Sequence, residues 1–354
     1  MTNFAADIVK LPRLNVEKGQ SSVSGLSSGA FMTVQLHLAH SASFTGAGVV
    51  AGGPYRGVET FRGSALITED AWEINAMQLC MAPLTPELAP DARKSVQLAQ
   101  QTERDLLIDP LSNMARQRMY IFTGSKDSVV MSPVVAQTRE MYRLLGVPEA
   151  QIHYDDSVPA GHSLLTANPE DNALGDNKPP YLNRGPFVHA HAILQHIYPD
   201  SKAPSANPTG KLLRFDQRDF FDSNSAASMS EFGYVYIPQA VLDGAAARVH
   251  IAIHGCKQGS AFVNYSFGTQ DSNDQPPYGM RYITSTGYIE FAEANDLIIL
   301  FPQVTGSDSS QTQNPDGCWD WWGYSSKTPG YPDYFSKKAL QIQAIHAMLT
   351  QLGG

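Results

Sequence analysis

The sequence predicts an α/β fold, a mostly parallel central sheet flanked by helices, and three observations predict it. Short apolar runs such as Arg118–Phe122, Arg248–Ile253 and Leu297–Phe301 alternate with stretches of helical periodicity, the order that builds a parallel sheet with helices on its faces. Residues 21–40 read as strand, tight glycine-flanked turn and helix. The chain of 354 residues is 42% hydrophobic and 17% charged, enough for a large core, with no repeat and no charge block.

Taken in order, residues 1–20 form a leading segment with turns at Pro12 and Lys18-Gly19. The turn that follows spells Gly25-Leu26-Ser27-Ser28-Gly29, a G-x-S-x-G pattern, between a strand ending near Val23 and Ser24 and a helix over 30–40. A serine exposed on so sharp a turn tolerates no Cβ beside it, and its hydroxyl then meets the free N–H groups of the helix start. Residues 46–53, GAGVVAGG, form a buried strand entering a glycine turn closed by Pro54 and Tyr55. Residues 56–115 are helical in mixture, interrupted by Pro83, Pro86, Pro90 and Pro110. The strand Arg118–Phe122 leads to the turn Ser125-Lys126-Asp127, a helix over 132–145, a strand over 151–155 and the loop ending Gly161-His162. After a helix in 187–198 comes a Pro/Ser/Gly connection at 200–210. Strands over 231–238 and Arg248–Ile253, the loop His254-Gly255-Cys256, a helix over 285–295, the strand Leu297–Phe301, an Asn/Asp/Ser-rich loop, Cys318-Trp319-Asp320-Trp321-Trp322 and a helix over 336–352 complete the chain.

The elbow makes Ser27 the candidate nucleophile of an α/β-hydrolase. In that fold the acid and base follow in the order Ser…Asp…His, each on a loop after a strand, which selects Asp127 and His162. Asp155 and Asp156 compete as the acid, but they end the strand that precedes His162 and are less well placed to reach its ring from the side. Among the other histidines, His189, His191 and His196 share one helix; H-x-H spacing sends rings to different faces, so surface or capping roles are expected there rather than a metal site. The His254-Gly255 loop matches the loop that completes the oxyanion hole in this fold, yet it follows the triad instead of preceding it. Reading 231–354 before 1–200 restores the ordinary succession, so a circular permutation joined near 200–210 is expected, with Met1 and Gly354 on one side of the fold.

Composition excludes several classes. A net charge of -9 opposes a nucleic-acid partner. No apolar run reaches the roughly 18 residues of a membrane-spanning helix, and the first twenty residues lack the apolar core of a signal peptide. Of three cysteines, Cys80, Cys256 and Cys318, at least one is unpaired; a Cys256–Cys318 bridge can form and would favour an oxidising compartment. No cysteine spacing suits zinc.

The elbow, the Gly52-Gly53-Pro54-Tyr55 turn, Ser125-Lys126-Asp127, Gly161-His162, His254-Gly255-Cys256 and Cys318-Trp319-Asp320-Trp321 occur together in this order across residues 20–325. In this the chain resembles poly(3-hydroxybutyrate) depolymerases with a circularly permuted catalytic domain. The resemblance implies a Ser27–His162–Asp127 triad and an oxyanion hole from the N–H groups of Ser28 and Cys256. It further implies substrate contacts from the Trp319, Trp321 and Trp322 cluster, with Tyr55 near the site, and hydrolysis of a polyester or oligoester without cofactor or metal. Relatives often carry a cysteine just after the Gly-Gly-Pro-Tyr turn; here Arg56 and Gly57 follow, so Cys80 is expected as a free, buried thiol. The expectation is one catalytic domain over 1–354, without a separate substrate-binding domain, working as a monomer that is secreted or periplasmic, or alternatively cytoplasmic. The competing readings are a feruloyl or acetyl esterase on the same fold and a non-catalytic granule-binding protein.

Overall fold

The computed structural model describes residues 3–60, 72–223, 226–264, 275–308, 313–326 and 332–354. Its strands are β1 (Asn3–Val9), β2 (Ser21–Leu26), β3 (Phe44–Val50), β4 (Arg118–Phe122), β5 (Ile152–Asp155), β6 (Leu164–Thr166), β7 (Leu182–Arg184), β8 (Lys211–Asp216), β9 (Phe232–Ile237), β10 (Arg248–Ile253) and β11 (Leu297–Phe301). Nine of them form one sheet in the order β1-β8-β9-β11-β10-β2-β3-β4-β5. Pairing is parallel except where β9 meets β8 and β11. The central strands are buried throughout, as parallel strands covered on both faces must be.

The helices are α1 (Ser28–Ala39), α2 (Trp72–Gln78), α3 (Ala92–Arg104), α4 (Ser132–Leu144), α5 (His189–Ile197), α6 (Gln239–Leu242), α7 (Arg281–Ser285), α8 (Tyr288–Ala294) and α9 (Leu340–Leu352). Every residue of α1 is buried, so the helix after the elbow is enclosed around its whole circumference, Thr33, Gln35 and His37 included, rather than amphipathic. It packs on β2, β3 and β10 with α9 beside it, while α5 and α8 pack together on β3, β4 and β11. The rings of His40 and His346 stack 3.6 Å apart where α1 ends against α9.

Three parts differ from the sequence expectation. The leading segment contains β1, which pairs with β8 at the sheet edge, and β8 itself lies in a stretch the sequence reading left unassigned. Both are flanked by proline, glycine or polar residues and lack a continuous apolar run, and only pairing with a neighbour defines them. His189 is not at the surface: it is fully buried, and its Nδ1 accepts the Leu165 N–H at 2.7 Å. Met1 lies outside the described residues, so its position relative to Gly354 stays an expectation. The C-terminus of α9 does meet the segment before β2, where the Leu14 N–H donates to the Leu352 carbonyl at 2.9 Å.

The core holds four buried neutral histidines. His250 spans two strands, bonded to Ser22 Oγ at 2.7 Å and Ser24 Oγ at 2.8 Å, and Ser24 Oγ bonds on to Tyr288. His37 lies between Tyr142 and the Gln117 amide oxygen. His254 accepts the Val304 N–H at Nε2, so its proton resides on Nδ1, and His189 likewise must keep an unprotonated nitrogen. Burial lowers all four, His37 and His254 to about 4 and His189 and His250 to about 3.

Below the ordinary histidine value of 6.5 the unfolded chain takes up protons that the folded chain refuses. Stability is therefore fully present above that value and falls with acidification, by up to about 1.4 kcal/mol per pH unit per histidine. Thermal melts followed by circular dichroism from about pH 7 to about pH 5 are expected to show a steadily falling midpoint. A flat or rising midpoint over that interval would contradict the buried neutral histidines.

Candidate active site

The site begins with backbone strain. Ser27 sits between β2 and α1 at φ 57 and ψ -125, a left-handed region that a serine occupies only when its surroundings enforce it. The enforcement is steric. A Cβ on Gly25 would come within 2.3 Å of the Gly29 carbonyl, and a Cβ on Gly29 within 2.3 Å of the Ile253 and His254 carbonyls. The strand β10 can thus press its last carbonyls onto the first turn of α1. Ser28, the first helical residue, has an N–H with no intrahelical acceptor, at the positive end of the helix.

The loop after β10 supplies a second donor. His254 Nδ1 donates to the Gly255 carbonyl at 2.7 Å. Because C=O and N–H point oppositely across a planar trans peptide, that bond turns the Cys256 N–H the other way. A disulfide joins Cys256 to Cys318, and so ties this loop to the aromatic segment. Cys80 is free and buried, with a thiol pushed well up by burial.

Asp127 and His162 meet as the sequence predicts. Asp127 Oδ1 accepts the N–H groups of Val129 at 2.8 Å and Val130 at 2.9 Å, while Oδ2 lies 2.8 Å from His162 Nδ1. Both side chains are almost wholly buried. The bond assigns the His162 proton to Nδ1 and leaves Nε2 basic. Asp155 instead caps Ser157, and Asp156 accepts from Tyr154, both at the exposed end of β5.

Ser27, Ser28, His162, Cys256 and Cys318 line one cleft of about 140 Å³. Its apolar walls are Phe31, Met77, Met81, Val129, Val130, Tyr181, Trp321 and Trp322, and its charged rim is Lys257 and Asp316, 3.4 Å apart. Trp321 stacks on Phe31 with ring centroids 3.9 Å apart, and Trp322 stands edge-on to Trp321. The cleft can hold a small apolar acyl group beside the Ser27 hydroxyl, an imidazole with a free nitrogen, and the residues Ser28 and Cys256. That is equipment for acyl transfer.

Two aromatic residues expected at substrate do not line this cleft. Tyr55 is completely buried and donates its hydroxyl to the Phe335 carbonyl at 3.2 Å. Trp319 is also completely buried, its backbone N–H donating to Ser28 Oγ and its ring 5.6 Å from that of His254. Trp319 thus braces the elbow and the His254 loop from behind, whereas Tyr55 packs edge-on against Phe335. The aromatic segment is held by Asp320, whose carboxylate accepts the N–H groups of Trp322, Gly323, Tyr324 and Ser325 and the Ser325 hydroxyl. Of the aromatics downstream, Tyr334 and Phe335 are buried as well, and Tyr331 lies outside the described residues. The sequence reading missed Phe31 and Tyr181. Phe31 was legible as the residue two after Gly29, on the first turn above the cleft; Tyr181 follows a proline pair with no periodic signal.

No protein-family model matches the chain. Among curated proteins it is 35% identical over 349 residues to a poly(3-hydroxybutyrate) depolymerase of Delftia acidovorans, covering 97% of this chain and 62% of that one. The chain thus spans somewhat less than two thirds of that relative. It is 30% identical over 330 residues to a polyhydroxybutyrate depolymerase of Talaromyces funiculosus, covering 89% of this chain and 85% of the relative. Among solved structures, PHB depolymerase from Penicillium funiculosum superposes with a TM-score of 0.80 at 27% identity, covering 97% of this chain and 98% of that one. A PHB depolymerase complexed with an R3HB trimer gives 0.79 at 26% identity, with the same coverage. By these relationships and by its nucleophile-elbow architecture, the chain has the α/β-hydrolase fold and belongs to the poly(3-hydroxybutyrate) depolymerase family.

Proposed function

We propose that the protein is a serine esterase that hydrolyses poly(3-hydroxybutyrate), or its short oligomers, through an acyl-enzyme on Ser27. The observation that carries this reading is the buried Asp127–His162 pair opening into the same cleft as the strained Ser27. His162 Nε2 takes the Ser27 proton as Oγ attacks the ester carbonyl, and Asp127 stabilises the imidazolium that forms. The Ser28 and Cys256 N–H groups receive the oxyanion, each contributing roughly 3–4 kcal/mol in sites of this kind. Collapse expels the alcohol end of the chain, protonated by His162; water then attacks the acyl-serine by the same route in reverse. The substrate class follows from the family, from the R3HB trimer bound by a structural neighbour and from an apolar cleft sized for a short acyl unit.

The disulfide supports export to an oxidising compartment. Among the described residues no helix is long and apolar enough to cross a membrane. We also read the chain order as a circular permutation within one catalytic domain. With β1 set aside, the other eight strands of the sheet, numbered from β8, occupy it in the succession 1-2-4-3-5-6-7-8, and the Leu14–Leu352 bond marks where the other ends would join.

Three outcomes test this. An amorphous poly(3-hydroxybutyrate) suspension should clear with the wild type, while Ser27→Ala should lose turnover by roughly 10⁴-fold or more with its melting curve unchanged. Turnover of feruloyl or acetyl esters without clearing would move the protein to the small-ester reading. Reduction and alkylation of Cys256 and Cys318, confirmed by mass, should lower kcat because the oxyanion loop loses its tether; unchanged kcat would remove the bridge from catalysis. A chain restarted within 200–210, with residue 354 linked to residue 11, should fold and keep activity. A restarted chain that stays unfolded would count against the permutation.

A further inference from the structure

Between β6 and β7 the chain doubles back as a strap, residues 174–181, and two amide side chains tie it to all three catalytic loops. Asn177 Oδ1 accepts the N–H of His162 at 2.8 Å and of Ser128 at 3.0 Å, and its Nδ2 donates to the Lys126 carbonyl at 3.0 Å and the Gly175 carbonyl at 3.3 Å. One side chain therefore holds the residues on both sides of Asp127 and the backbone of His162. Gln258 is buried; its Oε1 accepts the Gly255 N–H at 2.7 Å, and its Nε2 donates to the Pro180 carbonyl at 2.6 Å. It therefore holds the oxyanion loop against the same strap. Next along the strap, Tyr181 sets its ring edge-on to His162, with centroids 5.3 Å apart. The Gly161 N–H, bonded to the Leu174 carbonyl at 2.9 Å, closes the other end.

Both positions demand an amide. Each must accept from a backbone N–H and donate to a backbone carbonyl, which neither a carboxylate nor an apolar side chain of the same shape can do. Asn177 uses two acceptor and two donor positions, its full capacity. The peptide on one side of Gly255 is fixed by Gln258 and the peptide on the other by His254, so the direction of the Cys256 N–H is set twice.

We propose that Asn177 and Gln258 are positioning residues. Through the strap they hold the acid loop, the base loop and the oxyanion loop as one rigid unit facing Ser27. The proposal rests on the triad and oxyanion assignment above and adds to it the device that sets their mutual geometry.

The test uses a soluble oligoester with Gln258→Leu, Gln258→Glu, Asn177→Ala and Asn177→Ser. The Gln258 variants should lose roughly 10- to 100-fold in kcat with little change in KM. Their affinity for a tetrahedral boronic acid should fall by the same factor as kcat/KM, while affinity for a non-hydrolysable ether analogue of the oligoester stays near that of the wild type. The Asn177 variants should lower kcat comparably, with the same matched loss of boronic acid affinity and unchanged affinity for the ether analogue. Labelling of the wild type by a fluorophosphonate at Ser27 checks the triad independently. Failure to label Ser27 would overturn the underlying assignment; labelling together with wild-type kcat in the variants would overturn only the positioning role. Equal losses of ether-analogue and boronate affinity, or unfolding of all four variants by circular dichroism, would mean the amides merely stabilise the fold and would also overturn it.

Discussion

The structure depends first on one steric constraint, the close contact of Gly25, Gly29 and the end of β10 around a left-handed Ser27. A side chain at either glycine would drive a Cβ into backbone, where nothing can yield. The strain at Ser27, of order 1–3 kcal/mol for such a conformation, is tolerated because the fully buried α1 and the central strands on both sides over-determine it. The same contact places the His254-Gly255-Cys256 loop directly over the helix N-terminus. Ser27 and the two residues proposed to donate to the oxyanion, Ser28 and Cys256, are thus positioned by one packing event.

Around that centre two buried carboxylates, Asp127 and Asp320, gather backbone N–H groups. Asp127 accepts two backbone N–H groups besides pairing with His162, so its carboxylate is fixed in place and keeps the ring in one tautomer. Asp320 does for the aromatic segment what Asp127 does for the base loop, gathering backbone N–H groups that would otherwise be orphaned in a tight turn. Donors fixed before substrate arrives cost no reorganisation as charge develops, which is the physical basis of oxyanion stabilisation.

Much of this was legible in the sequence, for reasons that differ by residue. Ser27 was legible because only glycines permit its turn, and His162 and Asp127 because the fold fixes the order of its loops. The strands Arg118–Phe122, Arg248–Ile253 and Leu297–Phe301 were legible to the residue, since apolar runs in parallel sheets are nearly continuous. The edge strand β1 and its neighbour β8 were not, because β1 is defined by a partner far away in sequence and β8 by the strands on either side of it. The substrate-facing aromatics were harder still. Trp319 and Trp321 are two residues apart, yet one is completely buried behind the oxyanion loop and the other stacks on Phe31 in the cleft, a difference set by tertiary packing alone. Asn177 and Gln258 carry no motif, since an amide bridging two loops leaves no periodic trace.

The central claim is that Ser27 carries the acyl group. Rapid acid quenching of the wild type during turnover of a 3-hydroxybutyrate oligomer, followed by peptide mass spectrometry, tests it most directly. The account predicts a 3-hydroxybutyryl adduct on the peptide containing Ser27, accumulating in a burst before steady state. Steady turnover with no adduct at any time point, or an adduct on another residue, would contradict it.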